Sequence, residues 1–344
     1  MDELHLLRAT RNTTGTVPPA VLAAGREKLM QRTAEEDPAR EPAPVLHPRR
    51  PWRRALLASA AAAALVAALV AVDVVGSDER PGATAEAAEV LNAAAAATIT
   101  SSDPVLAPGQ YLLVDTDMVG TTSTVTPEGQ EFSWLTRRDH QVYIPADRTG
   151  EWVWIREPSK PVQFFDEGSR QEAERVGAGS SDSGDVSLAP RGEFGGSTQH
   201  VLNDMPLQEA VEGAPRDPRQ LLDLLYEGNA GGGQTPHEEA FERIAETLGT
   251  GAIPADLRAA LYRAAALIPG VSVVDREAAL DGRTGISLGI GSPEQGFRSE
   301  IIIDPQTGLM IGERTVLLED GKIFPAGTAL GWSAVTTSVV DSAP

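Results

Sequence analysis

The chain has 344 residues, a formal net charge of −20 and no cysteine. The absence of cysteine excludes structural disulfides, thiolate zinc sites, lipoprotein acylation and cysteine nucleophiles. Charge is unevenly spread: residues 1–54 carry ten Lys+Arg against seven Asp+Glu, whereas residues 76–344 carry nineteen against forty-one. So acidic a surface repels nucleic acid, which is excluded as a partner of the larger part.

From the N-terminus, Asp2 to Arg11 reads as a short helix with Leu4 and Leu7 on one face. A second helical pattern follows Thr16 and opens on Pro18 and Pro19, residues suited to a cap and a first turn. Val21, Leu22, Leu29 and Met30 share its face. Isolated helices of this length are marginal, so these helices are expected either to pack on a partner through the stripe Leu4, Leu7, Val21, Leu22 and Leu29 or to stay mostly disordered. Residues Thr33 to Pro51, rich in Pro, Glu and Arg, read as a flexible tether.

Residues 55–75, ALLASAAAAALVAALVAVDVV, hold ten Ala, five Val and four Leu. A helix of that length covers about 31 Å, the hydrocarbon thickness of a bilayer. Four arginines and a tryptophan precede it in RRPWRR, and SDE follows at Ser77 to Glu79. This asymmetry predicts an uncleaved signal anchor in the cell membrane. The 1–54 tail would be cytoplasmic and the C-terminal body extracytoplasmic.

Past a linker at 76–83, residues 84–344 are expected to form one α+β domain. Thr84 to Thr98 has helical spacing, and strands are predicted at 110–116, 121–126, 132–137, 141–145 and 151–157. The last of these is apolar on both faces and reads as an interior strand. The Gly/Ser/Asp-rich interval 166–198 is expected to be a mobile loop. Helices are predicted at 217–227, 235–248 and 254–267. A strand meander then runs through 271–275, 284–289, 297–304, 309–318 and part of 331–340, with Asp304 to Gly308 as a hairpin turn.

Chemical motifs are few. Gly285-Ile286-Ser287-Leu288-Gly289 matches the letters of a hydrolase nucleophile elbow. Yet Ile286, Leu288 and Ile290 alternate as in a continuous strand, and no histidine follows Ser287. The five histidines (His5, His47, His140, His200 and His237) include no pair at i, i+3 or i, i+4, so no metal site is expected. Asp182 and Asp185 lack the spaced ligands of a calcium loop, and phosphate-cradling glycine motifs are absent. No catalytic residue, metal or cofactor is assigned, and a non-enzymatic protein is expected. Trp134, Trp152 and Trp154, on neighbouring predicted strands, could line an apolar groove or simply fill a core.

The opening MDEL-LLR, the run Pro18, Pro19, Leu22, Arg26, Leu29 and the basic-flanked apolar helix resemble a family of actinobacterial single-pass membrane proteins of unknown function. LYRAAALIPGVSVV, LDGRTGISL and RSEIIIDPQTGLMIGER are similar to that family's C-terminal region. The resemblance implies an anti-sigma-like or envelope-sensor role. The exterior pattern is also similar to the lipoprotein-carrier and sigma-regulator fold, which implies a curved antiparallel sheet with covering helices around an apolar cavity. Unlike zinc-type anti-sigma domains, this chain has no cysteine and only two short tail helices. The expected function is an envelope sensor with a ligand-binding exterior domain. Its expected partners are a cytoplasmic sigma factor or other regulator and an apolar or cell-wall ligand outside. The alternative is a membrane-tethered lipid- or lipoprotein-binding module with a passive tail.

Overall fold

A computed structural model describes residues 82–101, 103–178, 183–194, 200–228, 235–292 and 295–344, all within the unit Ser77–Pro344. Among these residues no helix is long and apolar enough to cross a membrane. The predicted span 55–75 and the tail residues Leu4, Leu7, Val21, Leu22 and Leu29 lie outside the described residues.

The described residues form an α+β fold with six helices and a large antiparallel sheet. The helices are α1 (Ala85–Thr100), α2 (Glu167–Ala178), α3 (Leu207–Gly213), α4 (Pro218–Glu227), α5 (Pro236–Gly249) and α6 (Ala255–Ala265). Helices α1, α4 and α5 start where side chains satisfy the free N–H groups of a first turn. Thr84 accepts from Ala87, and Asp217 accepts from Arg219 and Gln220 ahead of Pro218. Thr235 and Glu238 form a reciprocal capping box before Pro236.

The strands are β1 (Tyr111–Val125), β2 (Glu131–Arg137), β3 (His140–Pro145), β4 (Glu151–Arg156), β5 (Lys160–Gln163), β6 (Asp185–Pro190), β7 (His200–Val201), β8 (Met205–Pro206), β9 (Ser272–Leu280), β10 (Arg283–Ser292), β11 (Phe297–Ile303), β12 (Met310–Leu317) and β13 (Ala329–Val340). Eleven of them make one sheet in the order β6-β4-β3-β1-β13-β12-β11-β10-β9, with β2 branching from β1 and β5 paired to β2. Strand β1 organises the N-terminal half. One edge pairs β13 over Tyr111–Gly120. The other edge pairs β3 over Tyr111–Thr116 and then β2 over Val119–Val125. At the handover the backbone N–H of Met118 donates to Asp139 Oδ1 at 3.3 Å, and Arg137 bridges Asp117 and Asp139. A side chain thus supplies the acceptor that the broken ladder lacks.

Alternation along the C-terminal strands sorts two faces. Leu288, Ile290, Ile301 and Ile303 face the helices in the main core, while Ile302 joins Ala278, Leu280, Ile311 and Ala334 in a smaller cluster. Helix α5 lies on β10 to β13, and α6 packs against α1, α4 and α5. In α6, Leu257, Ala259, Leu261, Tyr262, Ala264 and Ala265 are all fully buried. Each leucine so buried contributes about 1.5–3 kcal/mol.

The sheet also buries one carboxylate. Glu300 of β11, 1% exposed, accepts from Ser287 at 2.7 Å, from Arg298 Nε at 2.8 Å and from Arg314 Nε at 2.8 Å. Three donors around one carboxylate make its burial tolerable. Ser287 is therefore a mid-strand structural residue, not a nucleophile on a strand-to-helix turn.

Two expectations are corrected. The interval 166–198 contains α2 and β6 rather than a continuous loop. Helix α2 buries only Ser169, Glu172 and Ala173, so it shows almost no apolar stripe, and it begins where Asp166 accepts from Ser169 N–H and Oγ. The two strands predicted at 110–116 and 121–126 are one, because β13 pairs across the intervening residues up to Gly120. The other helices and strands predicted from residue 84 onward appear close to their expected bounds, except that β9 runs five residues beyond 275.

Replacing Glu300 with Ala strands Arg298, Arg314 and the buried Ser287 hydroxyl together. Glu300→Ala should cost about 3–5 kcal/mol in chemical denaturation, whereas Glu131→Ala, at an exposed strand end, should change stability by less than about 0.5 kcal/mol.

Candidate functional site

A cavity of about 800 Å³ falls within the usual size of small-molecule sites. It opens at the end of the sheet where β1 and β12 begin and β3 ends. Its walls come from the segment after α1, the α5–α6 connection, the start of β12 and residues 335–337 of β13. Leu112, Ile144, Leu248, Met310 and Val335 give it an apolar interior. The α5–α6 connection reaches the sheet through Gly251, at φ +61°, where a Cβ would stand 2.9 Å from Val114 and 3.1 Å from Val335. Only glycine lets the backbone cross there so closely.

Three arginines line the cavity, each held differently. Arg258 is buried at the start of α6. It donates to Asp103 Oδ1 at 2.7 Å, to the Ile253 carbonyl at 3.1 Å and to Thr98 Oγ1. Asp103 Oδ2 also accepts the Ala255 N–H at 2.7 Å, so one carboxylate both caps α6 and neutralises its arginine. Arg283 donates to the carbonyls of Val335 and Ile311 at 2.8 and 3.1 Å. Arg148 lies over the Trp152 ring at 5.2 Å and donates from Nε to Gln208 at 3.0 Å. Its Nη2 is buried without a hydrogen-bond partner. Burial lowers the Arg148 pKa, against a smaller raising effect of Asp103. Among the described residues neither Arg148 nor Arg283 has a carboxylate within salt-bridge distance.

The three tryptophans do not converge on one groove. Trp152, on β4, is core, and its Nε1 donates to the Arg148 carbonyl at 3.0 Å, so it supports Arg148 twice from beneath. Trp154, two residues on, packs against the same core. Its ring meets Phe194 at 5.3 Å and His140 at 6.0 Å. With Arg156 stacked over it at 4.4 Å, it faces a separate hollow of about 310 Å³. Trp134 is buried on β2 and belongs to neither apolar cluster. Burial lowers the His140 pKa, and His237 Nδ1 lies 3.0 Å from the Tyr226 hydroxyl. Among the described residues no three His, Asp or Glu side chains are grouped to hold a metal.

Sequence reasoning missed the arginines of the cleft. Arg258 finds Asp103 across 155 positions, and Arg148 sits in an ordinary turn, PADRTG. The only local hint was a tryptophan four residues after Arg148.

A second cavity of about 360 Å³ lies along α5, further down β12 and β13. Glu242 and Glu246 face it from α5 and Glu313 from β12. Ser299 donates to Glu242 at 2.8 Å, and Ser333 to Glu313 at 3.3 Å. Burial, aided by the charge of Glu246, pushes the Glu313 carboxyl up to about 7. Glu246 at the mouth is raised by burial and then by Glu242.

No protein-family model matches the chain, and no curated protein matches it.

An unfolded chain releases the Glu313 proton near 4.5, whereas the folded one holds it to about 7. The folded state therefore loses stability as pH rises from 4.5 to about 7 and is unaffected by this group above that. The loss amounts to a few kcal/mol at most. Glu313→Gln should flatten that slope in melting temperatures taken across pH 4.5–8; an unchanged slope would refute the assignment.

Proposed function

We propose that this is a non-catalytic, single-pass membrane protein whose C-terminal domain binds a ligand outside the cell and whose N-terminal tail reports on it to a cytoplasmic regulator, in the manner of an anti-sigma factor or envelope sensor. The observation that carries the ligand-binding part is the cleft of about 800 Å³ between the helices and the sheet end. Apolar walls with a few convergent polar groups are the usual composition of a binding site. The membrane part is supported by the apolar run at 55–75 with arginines before it and carboxylates after it. The tail's amphipathic stripe supports the cytoplasmic partner, a sigma factor or other regulator, since neither short helix can bury that stripe alone. The resemblance of the opening and C-terminal tracts to actinobacterial single-pass proteins agrees with this reading.

The aliphatic walls of the cleft favour a second reading: a membrane-tethered module that binds lipid or lipoprotein there and uses its tail only as an anchor. Deleting residues 2–45 separates the two. For a sensor, the transcriptional response to loss of the full chain should be reproduced by the deletion, and a pull-down with residues 1–54 should recover a regulator. If the deletion leaves all phenotypes intact and the pull-down recovers none, the signalling reading falls and the tethered module stands.

A further inference from the structure

The cleft is cationic inside an acidic molecule. Residues 76–344 carry nineteen basic against forty-one acidic side chains, yet three guanidinium groups line this one cavity against two carboxylates, Asp103 and Asp304. Both carboxylates are committed. Asp103 binds Arg258 and caps α6. Asp304 accepts from Gln306 N–H and Thr307 Oγ1 within its own turn, each at 2.8 Å. Arg148 and Arg283 donate to neutral acceptors, and neither forms a salt bridge with either carboxylate of the cavity. Removing a guanidinium from water without a counter-charge is costly. The fold nevertheless fixes Arg148 with a stacked ring below and an amide at one side, leaving Nη2 buried and unbonded. Opposite these charges the walls are aliphatic: Leu112, Ile144, Leu248 and Met310.

We propose that the cleft takes an amphiphile with an anionic head, a carboxylate or a phosphate, bound by Arg148 in a cavity that Arg283 also lines, with its aliphatic part against the apolar walls; this rests on the cleft being the ligand site of the proposed function. A planar fork of donors suits either oxyanion, and an incoming head supplies the missing counter-charge.

The test uses the full-length chain and a long-chain fatty acid bearing a photoreactive diazirine, with cross-links mapped by mass spectrometry. Cross-links should fall on cleft peptides, around Leu112, Leu248 and Met310. Palmitate or a lysophosphatidate should compete at least about tenfold better than palmityl alcohol, the fold-change of one charge-assisted hydrogen bond. Whichever anion competes better tells carboxylate from phosphate. Arg148→Gln should weaken competition by the anions about tenfold and leave the alcohol unchanged, while Arg148→Lys should retain part of the preference. If Arg148→Gln does not fold, the competition series on the unaltered chain still decides. Equal competition by the alcohol, or an unchanged anion preference in a folded Arg148→Gln protein, overturns the inference while leaving the cleft a binding site. Failure of every amphiphile to label or compete at the cleft overturns the binding reading and this inference together.

Discussion

The domain is built around the burial of α6. A helix that keeps only a narrow edge, Asp256 and Arg263, at the surface must be enclosed by other elements, and here α1, α4 and α5 enclose it. Its small residues, Ala259, Ala260, Ala264 and Ala265, let α1 approach with its own Ala87, Leu91, Ala94 and Ala95. The cost of this arrangement falls on Arg258, whose guanidinium is carried inward at the first turn. It is made tolerable by Thr98 at the end of α1, by a local carbonyl and by Asp103. The segment leaving α1 is thereby tied to the start of α6. The space between that tie and the sheet end is the cleft.

Electrostatics then separates two regions along the same helix and strands. At one end of α5, β12 and β13 the cavity is lined by arginines; further along, the smaller cavity gathers Glu242, Glu246 and Glu313. Both share a single hydrophobic layer, so α5 carries a positive neighbourhood and a negative one on one packed face. On the reverse face of the sheet the Glu300 network gathers two arginines and a serine around a single carboxylate and satisfies both of its oxygens.

Much of this fold is written locally. Thr84, Asp217 and Thr235 announce their helices because capping is a short-range interaction, and the alternation of Ile286, Leu288 and Ile290 announces β10 because one face is buried. Helix α2 is not announced, since Ser169, Glu172 and Ala173 are a poor apolar stripe and Asp166 acts through a single turn. The continuity of β1 is equally hidden: it depends on β13, more than two hundred residues away. The cleft could not be read for the same reason. Arg148, Arg258 and Arg283 belong to three distant segments, and isolated arginines in an Arg-rich chain look like surface residues until Trp152, Asp103 and the Val335 carbonyl are placed around them. The tryptophans drew attention because they are rare, but two of them serve the core, and one of those also shapes the site by supporting an arginine.

The divided edge of β1 has a consequence for how such a domain can diverge. Beyond Gly120 the strand leaves β13 behind and carries β2, β5 and the overlying α2 as a wing. The wing is held by one strand extension, by the knot formed by Asp117, Arg137 and Asp139, and by the contacts of Thr121 with the Leu330 carbonyl and of Phe165 with Phe324; none of its residues lines the cleft. Lengthening, trimming or replacing it would leave the residues that line the cleft in place. It is thus the part of the architecture most open to lineage-specific elaboration.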